Sequence, residues 1–180
     1  ADAILRMANR LAIDPQTPES EWREDALNYL EDFRIYQAIE WIDRNFIIRW
    51  LEPVAGNENV LGFNAAFDQK RLEALEAAKL SGDYDVSGVL ELRQGDKGVV
   101  IYAPVGTGPD NNGFVAGVFR IKTLAQQLMA SRDPAMFRIE IRSEGVPVYT
   151  LGDFESAGAP MSYTVPVNLP TQDWQLTVEP

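Results

Sequence analysis

Gly98-Val99-Val100-Ile101-Tyr102-Ala103 and, past an intervening loop, Phe114-Val115-Ala116-Gly117-Val118-Phe119 decide the fold of this chain. Apolar residues fill successive positions in both stretches, so both faces of each strand are covered. Such strands belong in the middle of a sheet. The segment between them, Gly106 to Gly113, is rich in Gly, Asn and Asp and reads as a loop. Upstream, Val89 to Leu92 forms a strand that turns through Gln94-Gly95-Asp96-Lys97 into the first of the pair. Further upstream, Ala38-Ile39-Glu40-Trp41-Ile42-Asp43 and Phe46-Ile47-Ile48-Arg49-Trp50-Leu51 are rich in β-branched and aromatic residues. Arg44-Asn45 lies between them as a hairpin turn.

Helices surround these strands. Ile4, Met7, Ala8 and Leu11 recur at helical spacing, and Asp14-Pro15-Gln16-Thr17-Pro18 ends that helix. Thr17 is placed to cap a second helix, with Pro18 at its first position, Glu19 and Glu21 in its first turn, and Trp22, Ala26, Leu30 and Phe33 on one face. Asp68 caps a third, whose apolar residues are Leu72, Leu75, Ala77 and Ala78 and which Gly82 ends. Leu124, Leu128 and Met129 suit a fourth that stops before Pro134. The tail alternates instead: Phe137, Ile139 and Ile141, then Tyr163, Val165 and Val167, then Trp174, Leu176 and Val178 point one way between polar neighbours. Period two with one wet face is the pattern of antiparallel strands. The expected class is α+β, with N-terminal helices (1–36), a sheet-and-helix core (37–131) and a C-terminal antiparallel extension (132–180).

Composition excludes several functions. The chain has 180 residues, with 16 Lys plus Arg against 27 Asp plus Glu, a formal net charge of −11. A surface this acidic repels phosphate backbones, so no nucleic-acid partner is expected. There is no His and no Cys, which removes imidazole catalysis, thiolate nucleophiles, disulfides and the usual zinc and iron–sulfur ligands. No apolar run is long enough to cross a membrane as a helix, and no signal-peptide pattern opens the chain. Ala1 and Pro180 read as the cut ends of a longer protein.

Motifs for chemistry are missing. The loop Gly106 to Gly113 lacks the Lys-Ser/Thr of a phosphate loop and is followed by a strand. Asp110-Asn111-Asn112 lacks the spacing and distal Glu of a calcium loop. Asp83, Asp85, Glu91, Asp96, Asp153 and Glu155 read as solvated carboxylates, no nucleophile motif occurs, and no cofactor or metal is expected. The aromatic strand residues Trp41, Trp50, Tyr102, Phe114 and Phe119 read first as core, and second as walls of a small-molecule cavity.

Four blocks carry a resemblance. They are Arg49-Trp50-Leu51-Glu52-Pro53-Val54-Ala55-Gly56-Asn57-Glu58; Gly62-Phe63-Asn64 with Arg71 and Glu76-Ala77-Ala78-Lys79-Leu80-Ser81-Gly82; Gly98 to Val105; and Gly113 to Arg120. In order and spacing they resemble the CHASE domain, the extracytoplasmic sensor module of cytokinin receptors and many bacterial signalling proteins. The resemblance spans roughly residues 37 to 131.

The resemblance implies a PAS-like fold on an N-terminal helix that rises from the membrane. It implies a position between two transmembrane helices on the periplasmic or extracellular side of the inner membrane, with a cytoplasmic histidine kinase or diguanylate cyclase as output. An Asp that contacts the ligand ring in cytokinin receptors falls on Asn64, which offers an amide donor and acceptor but no charge. Family pocket aromatics fall on Tyr102 and Phe119. Trp50 and the segment from Val86 to Leu92 complete the ligand site this implies, and the partner is a small molecule of unknown identity. The rival Cache group shares the helix-plus-PAS plan and would use Tyr84, Asp85 and Arg93, though no sequence block supports it. A second function class is a dimerisation module in which the Ile4/Met7/Leu11 stripe packs against its twin. An enzyme is a third, set back by the missing His and Cys.

Overall fold

A computed structural model describes residues 1–92, 96–129, 137–152 and 162–179. The chain divides into two compact units, 1–120 and 121–180. The first holds, in chain order, α1 (Asp2–Ile13), α2 (Glu19–Asp32), β1 (Tyr36–Asp43), β2 (Ile48–Glu52), α3 (Gln69–Ser81), β3 (Asp85–Val86), β4 (Leu90–Glu91), β5 (Lys97–Val105) and β6 (Gly113–Arg120). Its sheet runs β2-β1-β6-β5-β3, with β4 also paired to β5. Every pairing is antiparallel. The doubly apolar strands therefore sit inside the sheet, as their composition requires. The two N-terminal helices belong to the same unit as this sheet.

Side chains alternate across each strand, so the register sorts them onto two faces. Ala38, Ile42, Val100, Tyr102, Phe114, Ala116 and Val118 share a core with Ala74, Leu75 and Ala78 of α3. Ile39, Trp41, Ile101, Val115, Gly117 and Phe119 take the other face, over which α1 packs on β5 and β6. Gly117 makes that close approach feasible: a Cβ there would meet Ile4 Cδ1 at 2.9 Å and Tyr36 Cε1 at 2.8 Å. The whole stripe of α1 (Ile4, Met7, Ala8, Leu11) is buried. A twin helix therefore has no such stripe to pack against, because the chain's own sheet already covers it. Arg10 ties α1 to Glu21 and Asp25 of α2, and Trp22 of α2 lies 5.6 Å from the Trp50 ring.

Two helix ends can be compared with their sequence signals. Pro18, not Thr17, stands at the start of α2 with φ −70° and ψ 152°. The Thr17 hydroxyl instead donates to the Asp14 carbonyl at 2.8 Å, because the Asp14-Pro15 turn folds back on it. Phe33 is 46% exposed rather than part of the buried face, which is Trp22 and Ala26. For α3 the signals hold: Asp68 Oδ1 accepts from the Arg71 amide at 3.0 Å, and Gly82 closes the helix at φ 72°. Asp68→Ala should cost about 1 kcal/mol in urea unfolding while Asp68→Asn keeps most of it; equal losses would show that the ion pair with Arg71, not the cap, carries the effect.

The second unit holds α4 (Ile121–Met129), β7 (Arg138–Ser143), β8 (Val146–Leu151), β9 (Tyr163–Leu169) and β10 (Gln172–Glu179), with strand order β8-β7-β10-β9. Within its sheet Ile139, Ile141 and Trp174 are buried, as alternation predicts, and Ile121 and Ala125 of α4 are buried too. Tyr163, Val165 and Val167 are exposed instead, on a strand at the edge of the described sheet, paired with β10. β8 has no counterpart among the strands expected from sequence. Its signal is the pair Glu144-Gly145, with φ 50° and 73°, between Ser143 and its partner Val146. Positive φ at both central residues is the tight-hairpin geometry. The expected turn at Gln94-Gly95 and the helix stop at Pro134 lie outside the described residues. No helix among the described residues is long and apolar enough to cross a membrane.

Candidate ligand site on the α3 face of the sheet

One transverse row of residues defines the site. Leu51 pairs with Glu40, Glu40 with Ala116, Ala116 with Tyr102 and Tyr102 with Asp85. Paired residues share a face, so Glu40 and Tyr102 flank Ala116 at two strand spacings, about 9.5 Å. Ala116 keeps the floor between them low. Above it, Arg71 descends from α3 and donates from Nη1 to the Tyr102 hydroxyl at 3.2 Å. Its Nε lies 3.1 Å from Asp68 Oδ2, and its guanidinium sits 5.2 Å from the centre of the Phe67 ring. Phe63 and Phe67 meet edge to face at 4.7 Å. Glu40, Arg71, Phe63, Phe67, Val60 and Val118 are among the residues enclosing a cavity of 10 Å³, about the room one water needs.

The electrostatics are unusual for a core. Glu40 is 2% exposed, and its Oε2 has no hydrogen-bond partner among the described residues. Burial pushes the Glu40 carboxyl up to about 7, against the opposing pull of Arg71. Burial also pushes the Tyr102 phenol well above its ordinary range, Arg71 drawing it partly back. Arg71 itself is 7% exposed. A buried carboxyl and a buried guanidinium thus face one cavity, roofed by Phe63 and by Phe67, which is 50% exposed.

The residues expected to bind ligand are dispersed. Tyr102 and Leu92 lie on this face, within the α3-side core. Phe119 pairs with Val99 and Tyr36 on the opposite face, its ring 4.6 Å from that of Tyr36. Val86 pairs with Ile101, also on the opposite face. Trp50 is there too, stacked on Trp41 at 4.5 Å. Asn64 is exposed, and its Oδ1 accepts from the Ala66 amide at 2.8 Å, so it closes its own turn. Asp85 is buried at 4% exposure, not solvated, because β3 lays it beside Tyr102. Asp153, Glu155 and Arg93 lie outside the described residues. The loop Gly106 to Gly113 is held by Asn111, whose amide donates to the Gly113 and Gly106 carbonyls at 3.0 and 3.4 Å.

Sequence reasoning gave no ligand-binding role to Glu40, Arg71, Phe63 or Phe67, although Phe63 and Arg71 stand in one of the resemblance blocks. Two signals were present. Glu40 is the one charge within Ala38 to Ile42, and Arg71 sits at helical spacing from the buried Leu75 and Ala78. A charge on a covered face is the informative observation.

Comparison with known proteins follows from this geometry. The model of the CHASE domain family matches residues 10–157. The chain belongs to the CHASE domain family. The match extends over both the helix-flanked sheet and the first strands of the second unit, well beyond the four blocks. No curated protein sequence matches this CHASE domain significantly. Solved structures do. An extracellular ligand binding receptor from Desulfohalobium retbaense superposes with a TM-score of 0.76 at 12% identity, over 98% of this chain and 36% of that one. The ligand-binding domain of the Pseudomonas aeruginosa amino acid chemoreceptor PctC, in complex with GABA, gives 0.63 at 16% identity, over 98% and 88%. That of the Pseudomonas fluorescens chemoreceptor CtaA, in complex with L-isoleucine, gives 0.62 at 15%, over 98% and 80%. This CHASE domain spans about a third of the Desulfohalobium receptor it matches. The fold is thus the α+β plan shared by sensor domains, and the CHASE domain is an extracytoplasmic small-molecule sensor.

Proposed function

We propose that this CHASE domain binds a small zwitterion of the amino-acid type at the Glu40–Arg71–Tyr102 row. The carrying observation is a buried carboxyl oxygen of Glu40 with no hydrogen-bond partner among the described residues, lining the same cavity as the buried Arg71 guanidinium. An ammonium group supplies Glu40 with the donor it lacks, and a carboxylate supplies Arg71 with a planar bidentate partner. The chemoreceptor domains of like fold hold GABA and L-isoleucine, ligands of that charge pattern. Phe63 and Phe67 roof the row, so the described conformation is closed and entry requires their displacement.

The work of the site is binding, not catalysis. Ligand shifts the balance between closed and open states by its differential affinity for them. Ala116, the floor of the row, adjoins Gly117, on which Ile4 of α1 rests. A strand displaced by ligand therefore moves the seat of α1. In the parent protein α1 and the C-terminal strands would connect to membrane helices, and these to a cytoplasmic kinase or cyclase.

Calorimetry with a panel of amino acids, GABA included, tests this. A ligand at ~100 times its Kd stabilises the fold by about 2.7 kcal/mol. Arg71→Ala should abolish the signal, and Glu40→Gln should weaken it roughly tenfold or more. No binding across the panel, or binding unchanged in both variants, would refute the assignment. A panel that stays silent while the two variants fold normally would favour a partner protein over a small ligand.

A further inference from the structure

A second opening lies on the α1 side of the sheet, away from the charged row. It is a cleft of 420 Å³, within the range of roughly 300–1,000 Å³ typical of small-molecule sites. Its position follows from the register. Trp41 and Trp50 are cross-strand partners at the sheet edge, and their rings stack at 4.5 Å with planes 27° apart. Both are only half-buried. The opposite wall is Leu11 and Thr17, from the end of α1 and the turn that follows. Arg44 and Asn112 complete the rim.

The available charge in this cleft is positive. Asp43 lines it but is already committed: its carboxylate accepts from the Asn45 and Ile47 amides and from Arg49. Partial burial works against its charge, yet those donors outweigh it and hold its pKa below the usual carboxylate range. Arg44 is exposed at the hairpin turn and makes no hydrogen bond or ion pair among the described residues. On a chain of net charge −11, an uncommitted guanidinium over a pair of indoles is a selective feature. Planar rings gain from stacking on such a pair, and guanidinium–carboxylate contacts are among the stronger polar ones.

We propose that this cleft is a second ligand site, taking a planar aromatic carboxylate whose ring lies against Trp41 and Trp50 and whose carboxylate meets Arg44. The occupant touches Leu11, so it contacts α1 directly rather than through the sheet. Two inputs of different chemistry then converge on one helix, one beneath Ile4 and one at Leu11.

The test uses the side-chain N–H signals of the four tryptophans in NMR spectra of the isotope-labelled domain. Benzoate, benzamide and benzylamine present one ring with negative, neutral and positive charge. Benzoate, with few heavy atoms, should bind with a Kd on the order of 1 mM. It should shift Trp41 and Trp50, leave Trp174 unmoved, and bind roughly tenfold more tightly than benzamide. Arg44→Gln, at an exposed turn, should bring benzoate down to the benzamide affinity while benzamide itself is unaffected. Saturable shifts confined to Trp41 and Trp50 with that charge ranking support the site. The proposal is overturned by no saturable shift, by Trp174 moving with the others, by equal affinity for the three probes, or by an unaffected Arg44→Gln variant.

Discussion

Wild-type protein should lose stability between about pH 5 and about pH 8, and Glu40→Gln should lose far less. The Glu40 carboxyl ordinarily titrates near 4.5, and in the folded chain it is pushed up to about 7. Below 4.5 it is protonated in both states, so its neutral form is accommodated. As pH climbs, the unfolded chain releases the proton first. The native state then holds more protons than the unfolded one, and stability falls with rising pH until ionisation is complete in both. A difference of that size corresponds to about 3 kcal/mol. Urea unfolding of both proteins at the two pH values measures it. Glu40→Gln should match wild type near pH 5 and exceed it at pH 8. Identical slopes would mean that Glu40 is not protonated in the native state, and the closed cavity would then have to hold a charge that Arg71 fully neutralises. The same titration predicts a functional trend, since an ammonium ligand favours the ionised carboxylate: affinity should rise as pH passes through 7.

Gly113→Ala should be the most damaging single methyl in the first unit. Gly113 has φ 142°, a region L side chains rarely adopt, and a Cβ there would fall 2.1 Å from the Ile42 carbonyl oxygen. The obstacle is backbone, so no side chain can rotate away. Relief requires β6 to part from β1 where Asp43 pairs with Gly113. A loss of about 3–5 kcal/mol is expected from strain of this kind, lowering Tm by roughly 10 °C. Gly108→Ala is the control. It also has positive φ, at 55°, but nothing lies within 4 Å of its Cβ, so only the conformational cost of about 1 kcal/mol applies. Equal effects in thermal melts would show that φ alone, not the approach of β1, requires the glycine. Glu40 lies on β1 beside Ala116, so Gly113→Ala should also weaken ligand binding at the row.

Some of the site could be read in the chain and some could not. Continuous apolarity located β5 and β6 inside the sheet, and Arg44-Asn45 located the β1–β2 turn. Asp68 and Gly82 marked both ends of α3. These signals are local, since each depends on a few neighbours in sequence. Phe119 and Tyr102 show where such signals stop. Both are aromatic residues on strands covered on two sides, and apolar alternation disappears when both faces are buried. Nothing in either stretch tells which residue looks toward α3 and which toward α1.

By itself, the sequence determined the α+β class, the inner strands, the caps of α3 and the absence of imidazole and thiol chemistry. It also carried the family resemblance. Tertiary structure alone decided which face each strand residue joins, and therefore the row Glu40–Ala116–Tyr102–Asp85. Its members come from four strands distant in sequence, and Arg71 reaches them from a helix. A one-residue change of register would send every one of them to the other face. Register is set by the pairing of whole strands and by close approaches such as Ile4 on Gly117, and those interactions exist only once the chain has folded.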